Sequence, residues 1–262
     1  MTNSLLLIDP QRDFCSPDGA LYVPGAEKDA ERLSNFIKAN ANKLDSIHTT
    51  MDCHPYFHIA HPCFWKDRNG NEVPPYTTIT HKDFEDGVYV PSLTSLTPRV
   101  DEYLLSLESL GRYQLTILPP HGLLGSKGFA LEEKVAEAIN VWEKTKIGNV
   151  VDYIIKSSNP FTEHYSAIQA EVQDPTDGST KTNYALIEKL RNADQIFVAG
   201  ESLSHNIANT VKDLLIYIPP SKITLLRDCT SSAPNFEDSA EELIYDFEQR
   251  GITIADSSFR IS

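Results

Sequence analysis

Long apolar runs are absent from this 262-residue sequence, and cysteine and positive charge are scarce. No run approaches the roughly 20 apolar residues that cross a bilayer, and residues 5–8 are too short, and lack the basic flank, for a signal peptide. The four cysteines show no CxxC spacing and no disulfide-framework density, which favours a reducing, cytoplasmic compartment. A formal net charge of −14 repels phosphate backbones and anionic lipids, so we expect neither nucleic acid nor membrane as a partner.

The length and composition are those of an ordinary globular protein, with 40% hydrophobic and 23% charged residues. A chain of this size supports one sizeable domain with a buried core. We therefore predict a single domain over residues 1–262. Within it, residues 64–112 break the strand–helix rhythm with Asn-Gly and Pro-Pro elements that indicate turns. We interpret this segment as an insertion that forms a wall of a pocket.

Apolar strand-like runs alternate with segments of helical periodicity along the rest of the chain. The predicted strands are 4–9, 46–51, 115–118, 150–155, 195–199, 223–226 and 251–255. The predicted helices are 25–43, 129–142, 183–191 and 240–247, with a further one marked by Ile207, Val211, Leu214 and Leu215. Such alternation implies right-handed βαβ crossovers, hence an α/β fold with a doubly wound, mainly parallel sheet covered on both faces.

Polar residues capable of chemistry follow these predicted strands. Asp9, Asp52 and Lys156 end three of them, His121 follows another, and the turn 200–205 follows the fifth. Taken singly, each is better explained as a helix cap, a turn residue or a solvated side chain. In open α/β sheets, however, ligands bind beyond the carboxyl ends of the strands. The joint placement therefore indicates one crevice that contains a functional site.

Six segments of the sequence carry a family resemblance when they are taken in order. They are LLLIDPQRDF at 5–14, GALYVPGA at 19–26, TMDCHP at 50–55 with HI at 58–59, LPPHG at 118–122, Lys156 with Phe161 and 165–167, and GESLSHNIANT at 200–210. Together they resemble the nicotinamidase/isochorismatase superfamily of cysteine hydrolases. The resemblance implies the three-layer αβα isochorismatase-like hydrolase fold.

The same resemblance implies a catalytic trio of aspartate, lysine and cysteine. Carried over by motif, Asp9 is the general base, Lys156 is its electrostatic partner, and the nucleophile position is occupied by Asn206. The oxyanion hole would be formed by the backbone N–H groups of Ser202 and Asn206, and the Glu201–Ser202 peptide is the candidate for the family's cis bond. In such a site a thiolate attacks a carboxamide, and hydrolysis of a thioester follows.

A metal site is implied at Asp52, His54 and His121. Two imidazoles and a carboxylate suit a divalent metal, foremost zinc, and also iron or manganese. Further possible ligands are His58, His61 and Glu85. The alternative is that the histidines serve only as hydrogen-bond partners.

The expected ligand is a small carboxamide or aromatic acid. Phe14 and Trp65 are the predicted pocket residues. Leu118 stands where the family has a tryptophan, and Trp65 or Phe64 is the candidate replacement for that aromatic wall. Gly122 replaces a cysteine that is common in the family. The resemblance also implies a homo-oligomer.

Asn206 leaves several functions open, because a carboxamide side chain has no ionisable proton and is no nucleophile at neutral pH. The first hypothesis is a hydrolase that has lost its nucleophile and kept its pocket. The second is a non-catalytic protein that binds a small amide or acid, and the third is attack by metal-bound water with Asp9 as base. From a different class, the aromatic-rich segment 64–112 could make this an interaction protein.

Overall fold

A computed structural model describes residues 1–261, which form a six-stranded parallel sheet with helices on both faces. The strands are β1 Asn3–Ile8, β2 Ser46–Asp52, β3 Trp65–Asp67, β4 Thr78–Ile79, β5 Tyr89–Pro91, β6 Leu115–Thr116, β7 Asp152–Lys156, β8 Gln195–Gly200, β9 Ile223–Leu226 and β10 Thr253–Ala255. The helices are α1 Arg12–Cys15, α2 Ala26–Asn40, α3 His81–Glu85, α4 Thr97–Leu110, α5 Glu133–Glu143, α6 Tyr184–Arg191, α7 Ala208–Leu214 and α8 Glu237–Gln249. The strand order is β10-β9-β8-β1-β2-β7.

The central strand β1 shows why the fold has three layers. All six of its residues are buried, and successive side chains point to opposite faces of the sheet. Leu5 and Leu7 pack in one core with α2 and α5, whereas Leu6 and Ile8 pack in a second core with α6, α7 and α8. The predicted three-layer αβα fold with a doubly wound parallel sheet is confirmed.

Six of the seven predicted strands lie in this sheet, and the run at 115–118 does not. Only Leu115 and Thr116 are extended, and they pair antiparallel with β4 of the segment 64–112. The chain leaves this pairing at Pro119-Pro120, because proline cannot donate the next ladder hydrogen bond. His121 therefore reaches the site from a loop and not from the end of a sheet strand.

The segment 64–112 contains β3, β4, β5, α3 and α4 and has a small core of its own. That core includes Phe64, Trp65, Tyr103, Leu107 and other apolar residues that lie apart from the two main cores. Over residues 1–261, none of the helices combines the length and the apolar character that crossing a bilayer requires.

Candidate active site

Four adjacent strands of the sheet, β8, β1, β2 and β7, end at the same edge. Asp9 follows β1, Asp52 ends β2, Lys156 ends β7, and the turn 201–206 follows β8. Asp52 and Lys156 are direct neighbours in the parallel ladder. The crevice predicted at the strand ends is therefore built by four neighbouring strands.

Asp9, Lys156 and Asn206, here termed the lysine cluster, are in direct contact. The Asp9 Oδ2 atom lies 2.9 Å from Lys156 Nζ and accepts a 2.7 Å hydrogen bond from Asn206 Nδ2. The other oxygen, Oδ1, accepts from the Thr50 hydroxyl at 2.6 Å. Because three donors converge on it and no acceptor does, the Asp9 carboxyl is held as the anion. The chemical roles of the three residues stay a prediction.

Lys156 is buried, and each of its three N–H groups has an acceptor. Besides Asp9, the ammonium donates to Asp52 Oδ1 at 3.0 Å and to the His164 carbonyl at 2.9 Å. Burial lowers the pKa of Lys156, but the charges of Asp52 and Asp9 outweigh burial and raise it above the usual value. Burial raises the pKa of Asp9, and the Lys156 ammonium opposes that rise. The ammonium is thus permanently charged and fully occupied.

The turn after β8 carries the predicted oxyanion donors. The Glu201–Ser202 peptide, the candidate that the family resemblance implied, is cis. A single π-helical turn, Leu203–Ile207, follows and leads into α7. The Ser202 N–H donates no hydrogen bond to any residue in the range 1–261. It is therefore available to a ligand oxygen.

Asp52, His54, His61, His121 and Glu163 form a second group, here termed the histidine cluster. His121 Nε2 lies 3.3 Å from Asp52 Oδ2, and His54 Nδ1 lies 3.7 Å from the same oxygen. On its other side, the His54 Nε2 atom faces Glu163 Oε1 at 3.4 Å. One nitrogen from each of the three imidazoles falls within 4.8 Å of the others.

The protonation of these imidazoles follows from their partners. His121 Nδ1 faces the Pro119 carbonyl at 2.9 Å, and His61 Nδ1 faces the Tyr56 carbonyl at 3.0 Å. Because a carbonyl only accepts, Nδ1 carries the proton in both rings, and Nε2 is a bare lone pair when the ring is neutral. His61 Nε2 and His54 Nδ1 are buried without any hydrogen-bond partner. Lone pairs that converge in this way suit a metal ion.

Charge balance supports the same fit. Burial lowers the pKa of His61 to about 4, and neighbouring His54 adds to the effect, so this ring is neutral at physiological pH. The buried carboxylates of Asp9, Asp52 and Glu163 then face the single ammonium of Lys156. Burial lowers the pKa of His121, but the hydrogen bond and charge of Asp52 outweigh burial and raise it above the usual value. Even with His121 protonated, the three carboxylates outnumber the two cations Lys156 and His121 in a low-dielectric interior, which is costly. A divalent cation would offset this excess of negative charge.

Two of the further predicted ligands lie outside this arrangement. His58 donates from Nε2 to the Thr162 carbonyl at 3.2 Å and accepts from the Ala60 N–H at Nδ1, also at 3.2 Å. Both of its nitrogens are therefore used. Glu85 lies on α3 with its side chain 62% exposed, next to His81. His58 nevertheless forms a second group of possible ligand atoms with His54 and Glu163, all within 4.8 Å of one another. Glu85 belongs to neither group among residues 1–261.

The sequence analysis did not identify Glu163. Its Oε1 atom faces His54 Nε2 at 3.4 Å, which is the contact by which carboxylates orient metal-binding imidazoles. Its Oε2 atom is buried without a hydrogen-bond partner. The only available signal was its place in the segment that resembles the family's lysine region.

Gln11 and Asp13 position the histidine cluster without belonging to it. The Gln11 side chain accepts from the Asp52 N–H at 2.6 Å and donates to the Asp52 carbonyl at 2.9 Å. Asp13 Oδ2 accepts from the Gly122 N–H at 2.8 Å, beside His121. Gly122 has φ 57°, and a Cβ atom there would collide with the Asp52 carbonyl. This close approach accounts for glycine in place of the family's cysteine.

A cavity of about 780 Å³ opens above the two clusters. Asp52, His121, Lys156 and Asn206 form part of its lining, and so does the predicted pocket residue Phe14. An aromatic wall that the sequence analysis did not identify closes one side. It consists of Tyr113, Tyr165, His205 and Phe236, with Tyr113 stacked on His205 at 5.5 Å between ring centroids. The volume suits a drug-sized ligand.

Trp65, predicted as a pocket residue, does not line this cavity. Trp65 and Phe64 are fully buried in the core of segment 64–112, where the Trp65 indole donates to the Ile59 carbonyl at 2.6 Å. The segment contributes Tyr76 and Thr78 to the lining instead. The large apolar rings of Phe64 and Trp65 are more favourable when buried in this core than when exposed to water in the cavity.

No cysteine borders the cavity. The four cysteines are Cys15, Cys53, Cys63 and Cys229, and none of them lines it. Burial holds the pKa of Cys15 well above its usual value. A thiolate is therefore not supplied from elsewhere in the chain.

Comparison with known proteins identifies the fold. No protein-family model matches the chain. The nicotinamidase of Saccharomyces cerevisiae is 32% identical over 78 residues, which cover 30% of this chain and 34% of that protein. The chain thus matches only about a third of the length of this curated relative.

Solved structures match over nearly the whole chain. The yeast nicotinamidase bound to the inhibitor nicotinaldehyde superimposes with a TM-score of 0.68 at 19% identity, covering 97% of this chain and 100% of that one. The pyrazinamidase of Pyrococcus horikoshii in complex with zinc gives 0.57 at 20% identity, covering 98% and 99%. The resemblance predicted from the six segments is confirmed at the level of the fold, which is the isochorismatase-like hydrolase fold of these nicotinamidases.

Proposed function

We propose that this protein is a nicotinamidase-like hydrolase scaffold that takes up a small carboxamide or aromatic acid and is blocked for thioester chemistry at Asn206. One observation carries the proposal: Asn206 Nδ2 lies 2.7 Å from Asp9 Oδ2, and that oxygen also contacts Lys156. In this proposal the asparagine stands at the nucleophile position, next to Asp9 as the base and Lys156 as the cation. The pocket is kept, and the nucleophile is absent.

The chemistry available to the scaffold follows from the retained groups. With a thiol at position 206, Asp9 would accept its proton, and the thiolate would attack the carboxamide carbon. The Ser202 N–H and the N–H of residue 206 would stabilise the oxyanion, and Asp9 would return the proton to the leaving amine. Asn206 offers neither a proton nor an electron pair for this attack, so the C–N bond stays intact.

The residues that would hold a metal are Asp52, His54, His61 and His121. Three imidazoles and a carboxylate suit zinc, and they suit iron or manganese as well. The zinc in the P. horikoshii pyrazinamidase supports that choice. When bound, a divalent ion would supply a Lewis acid beside the ligand. Glu163 would orient His54 from behind.

Direct attack by water with Asp9 as base is the weaker candidate. Asp9 is fully buried and is not among the residues that line the cavity, and both of its oxygens already accept hydrogen bonds, so it is poorly placed to take a proton from water in the cavity. Two further expectations for this protein, that it forms a homo-oligomer and that it is cytoplasmic, stay predictions.

The decisive experiment is Asn206→Cys. We expect this variant to release ammonia from at least one member of a carboxamide panel that includes nicotinamide, at about 100 times the wild-type rate or more. Asn206→Ser serves as the size-matched control, and Asp9→Asn combined with Asn206→Cys should abolish the gain. A folded, metal-loaded Asn206→Cys protein that hydrolyses nothing in the panel would remove the cysteine-hydrolase interpretation.

A further inference from the structure

The orientation of the Asn206 side chain is fixed by its neighbours. Its Nδ2 group donates to Asp9 Oδ2 at 2.7 Å and to the Glu201 carbonyl at 3.3 Å. The reversed amide would place Oδ1 against a carboxylate and a carbonyl, which both repel it. Both Nδ2 hydrogens are therefore used, and Oδ1 is the atom left over.

That leftover oxygen belongs to a residue that lines the cavity. Among residues 1–261, no donor forms a hydrogen bond with Asn206 Oδ1, and the atom is not sealed in the interior. Ser202, four residues earlier in the same turn, lines the same cavity and has an unused backbone N–H. The turn thus presents the Asn206 side-chain acceptor beside the predicted oxyanion donors, which are the N–H groups of Ser202 and Asn206.

The Lys156 ammonium beneath the turn has no N–H group left to bind an anionic ligand. The three N–H groups of Lys156 bind Asp9, Asp52 and the His164 carbonyl. A ligand carboxylate placed above the turn would face Asn206 Oδ1, with the Asp9 carboxylate buried beneath that side chain, and no N–H group of the Lys156 ammonium would be free to bind it. An anionic ligand next to an acceptor and above a buried carboxylate, without a donor of its own, binds less favourably than a neutral ligand.

From this arrangement we infer that Asn206 is a ligand-binding residue that selects a primary carboxamide over the corresponding carboxylic acid. The ligand's NH₂ group donates to Asn206 Oδ1, and its carbonyl accepts from the Ser202 N–H. The inference rests on the proposed function, since it assumes that this pocket takes up the ligand. It goes further by assigning position 206 a recognition role, which makes the site a receptor for the amide and not for the hydrolysed acid.

The test measures affinities for two matched pairs of probes by calorimetry at pH 7.5. The pairs are nicotinamide with nicotinate and benzamide with benzoate, and the second pair removes any contribution of a ring nitrogen. The full chain is used as purified, with its metal content determined, and again after saturation with zinc. We expect each amide to bind at least about ten times more tightly than its acid.

Asn206→Ala and Asn206→Ser test the assignment to this side chain, with Asn192→Ala on the surface as a matched control. We expect the amide-to-acid ratio to fall at least about fivefold in both position-206 variants and to be unchanged in the control. An acid that binds the wild type as tightly as its amide overturns the inference, and so does a ratio that both variants preserve. If neither member of either pair binds the wild type, the proposed function itself fails.

Discussion

The lysine cluster and the histidine cluster share one cavity but differ in how completely their polar atoms are paired. In the lysine cluster, the ammonium has three acceptors and the Asp9 carboxylate has three donors. In the histidine cluster, His54 Nδ1, His61 Nε2 and Glu163 Oε2 are buried without partners. A buried polar group without a partner costs free energy. The lysine cluster is thus complete within the chain, whereas the unpaired atoms of the histidine cluster suit a cation.

The difference explains how an asparagine is accommodated at position 206. The Asn206 amide donates to groups that already needed donors, and it adds no charge. An equivalent polar replacement among the histidines would instead leave the remaining lone pairs in place. The proposed absence of a nucleophile at position 206 is therefore compatible with full pairing in the lysine cluster.

The largest expected loss of stability comes from removing the lysine of the lysine cluster. Lys156→Met removes the ammonium that lies between Asp9 and Asp52 and leaves both carboxylates buried without it. We expect the free energy of unfolding to fall by about 3–5 kcal/mol, measured by chemical denaturation. Lys189→Met is the control, because its side chain is 50% exposed and pairs with Asp152, so its loss should cost about 1 kcal/mol or less. Similar losses in the two variants would show that the lysine cluster is not a buried ion pair.

A smaller change in stability should follow when a metal ion is supplied to the histidine cluster. Saturating zinc, at about 100 times its dissociation constant, should raise the free energy of unfolding by about 3 kcal/mol, and a chelator should reverse the gain. We expect about one metal ion per chain by elemental analysis. His61→Ala should weaken binding, while His81→Ala, at a surface histidine that contacts Asp101, should not. A wild-type protein that stays metal-free and is not stabilised would contradict the unpaired-nitrogen argument.

The smallest effect concerns Glu171, a buried carboxyl outside both clusters whose Oε1 atom also lacks a partner. Burial raises its pKa from 4.5 to about 7, although Arg112 opposes the rise. The folded state then binds more protons than the unfolded state between these pH values, so stability is lost as the pH rises through this window.

Glu171→Gln removes that loss. We expect the variant to exceed the wild type by about 2 kcal/mol in unfolding free energy at pH 8 and to match it at pH 4.5. Glu188→Gln, with a side chain 57% exposed, is the control and should show no such pH dependence. Equal destabilisation by Glu171→Gln at both pH values would instead identify Glu171 as a structural acceptor.

Local patterns in the sequence predicted the sheet and the groups at the ends of its strands. Asp9, Asp52 and Lys156 follow strands whose apolar runs are unambiguous, and parallel strands bring their ends together regardless of distance along the chain. The strand 115–118 was misplaced because a short apolar run does not reveal its pairing partner, which is β4. Trp65 was misplaced because periodicity cannot distinguish a pocket wall from the core of an inserted segment.

The parts that were not predicted depend on contacts between distant segments. The aromatic wall joins Tyr113, Tyr165, His205 and Phe236, which share no motif and meet only in the folded chain. His61 was named only as a further possible ligand, since its vacant nitrogen becomes apparent only when Nδ1 is seen to face the Tyr56 carbonyl.

The bond from Asn206 to the Glu201 carbonyl braces the turn across its width before any ligand arrives. Glu201 also accepts the Ser231 N–H with its side chain, and the Ser231 carbonyl accepts the Leu203 N–H. The turn at the floor of the cavity is thus hydrogen-bonded to the loop that contains Ser231 by the chain's own groups. A ligand would meet a surface that is already organised, so little conformational entropy would be lost on association, and the rate of entry would be governed by diffusion through the mouth.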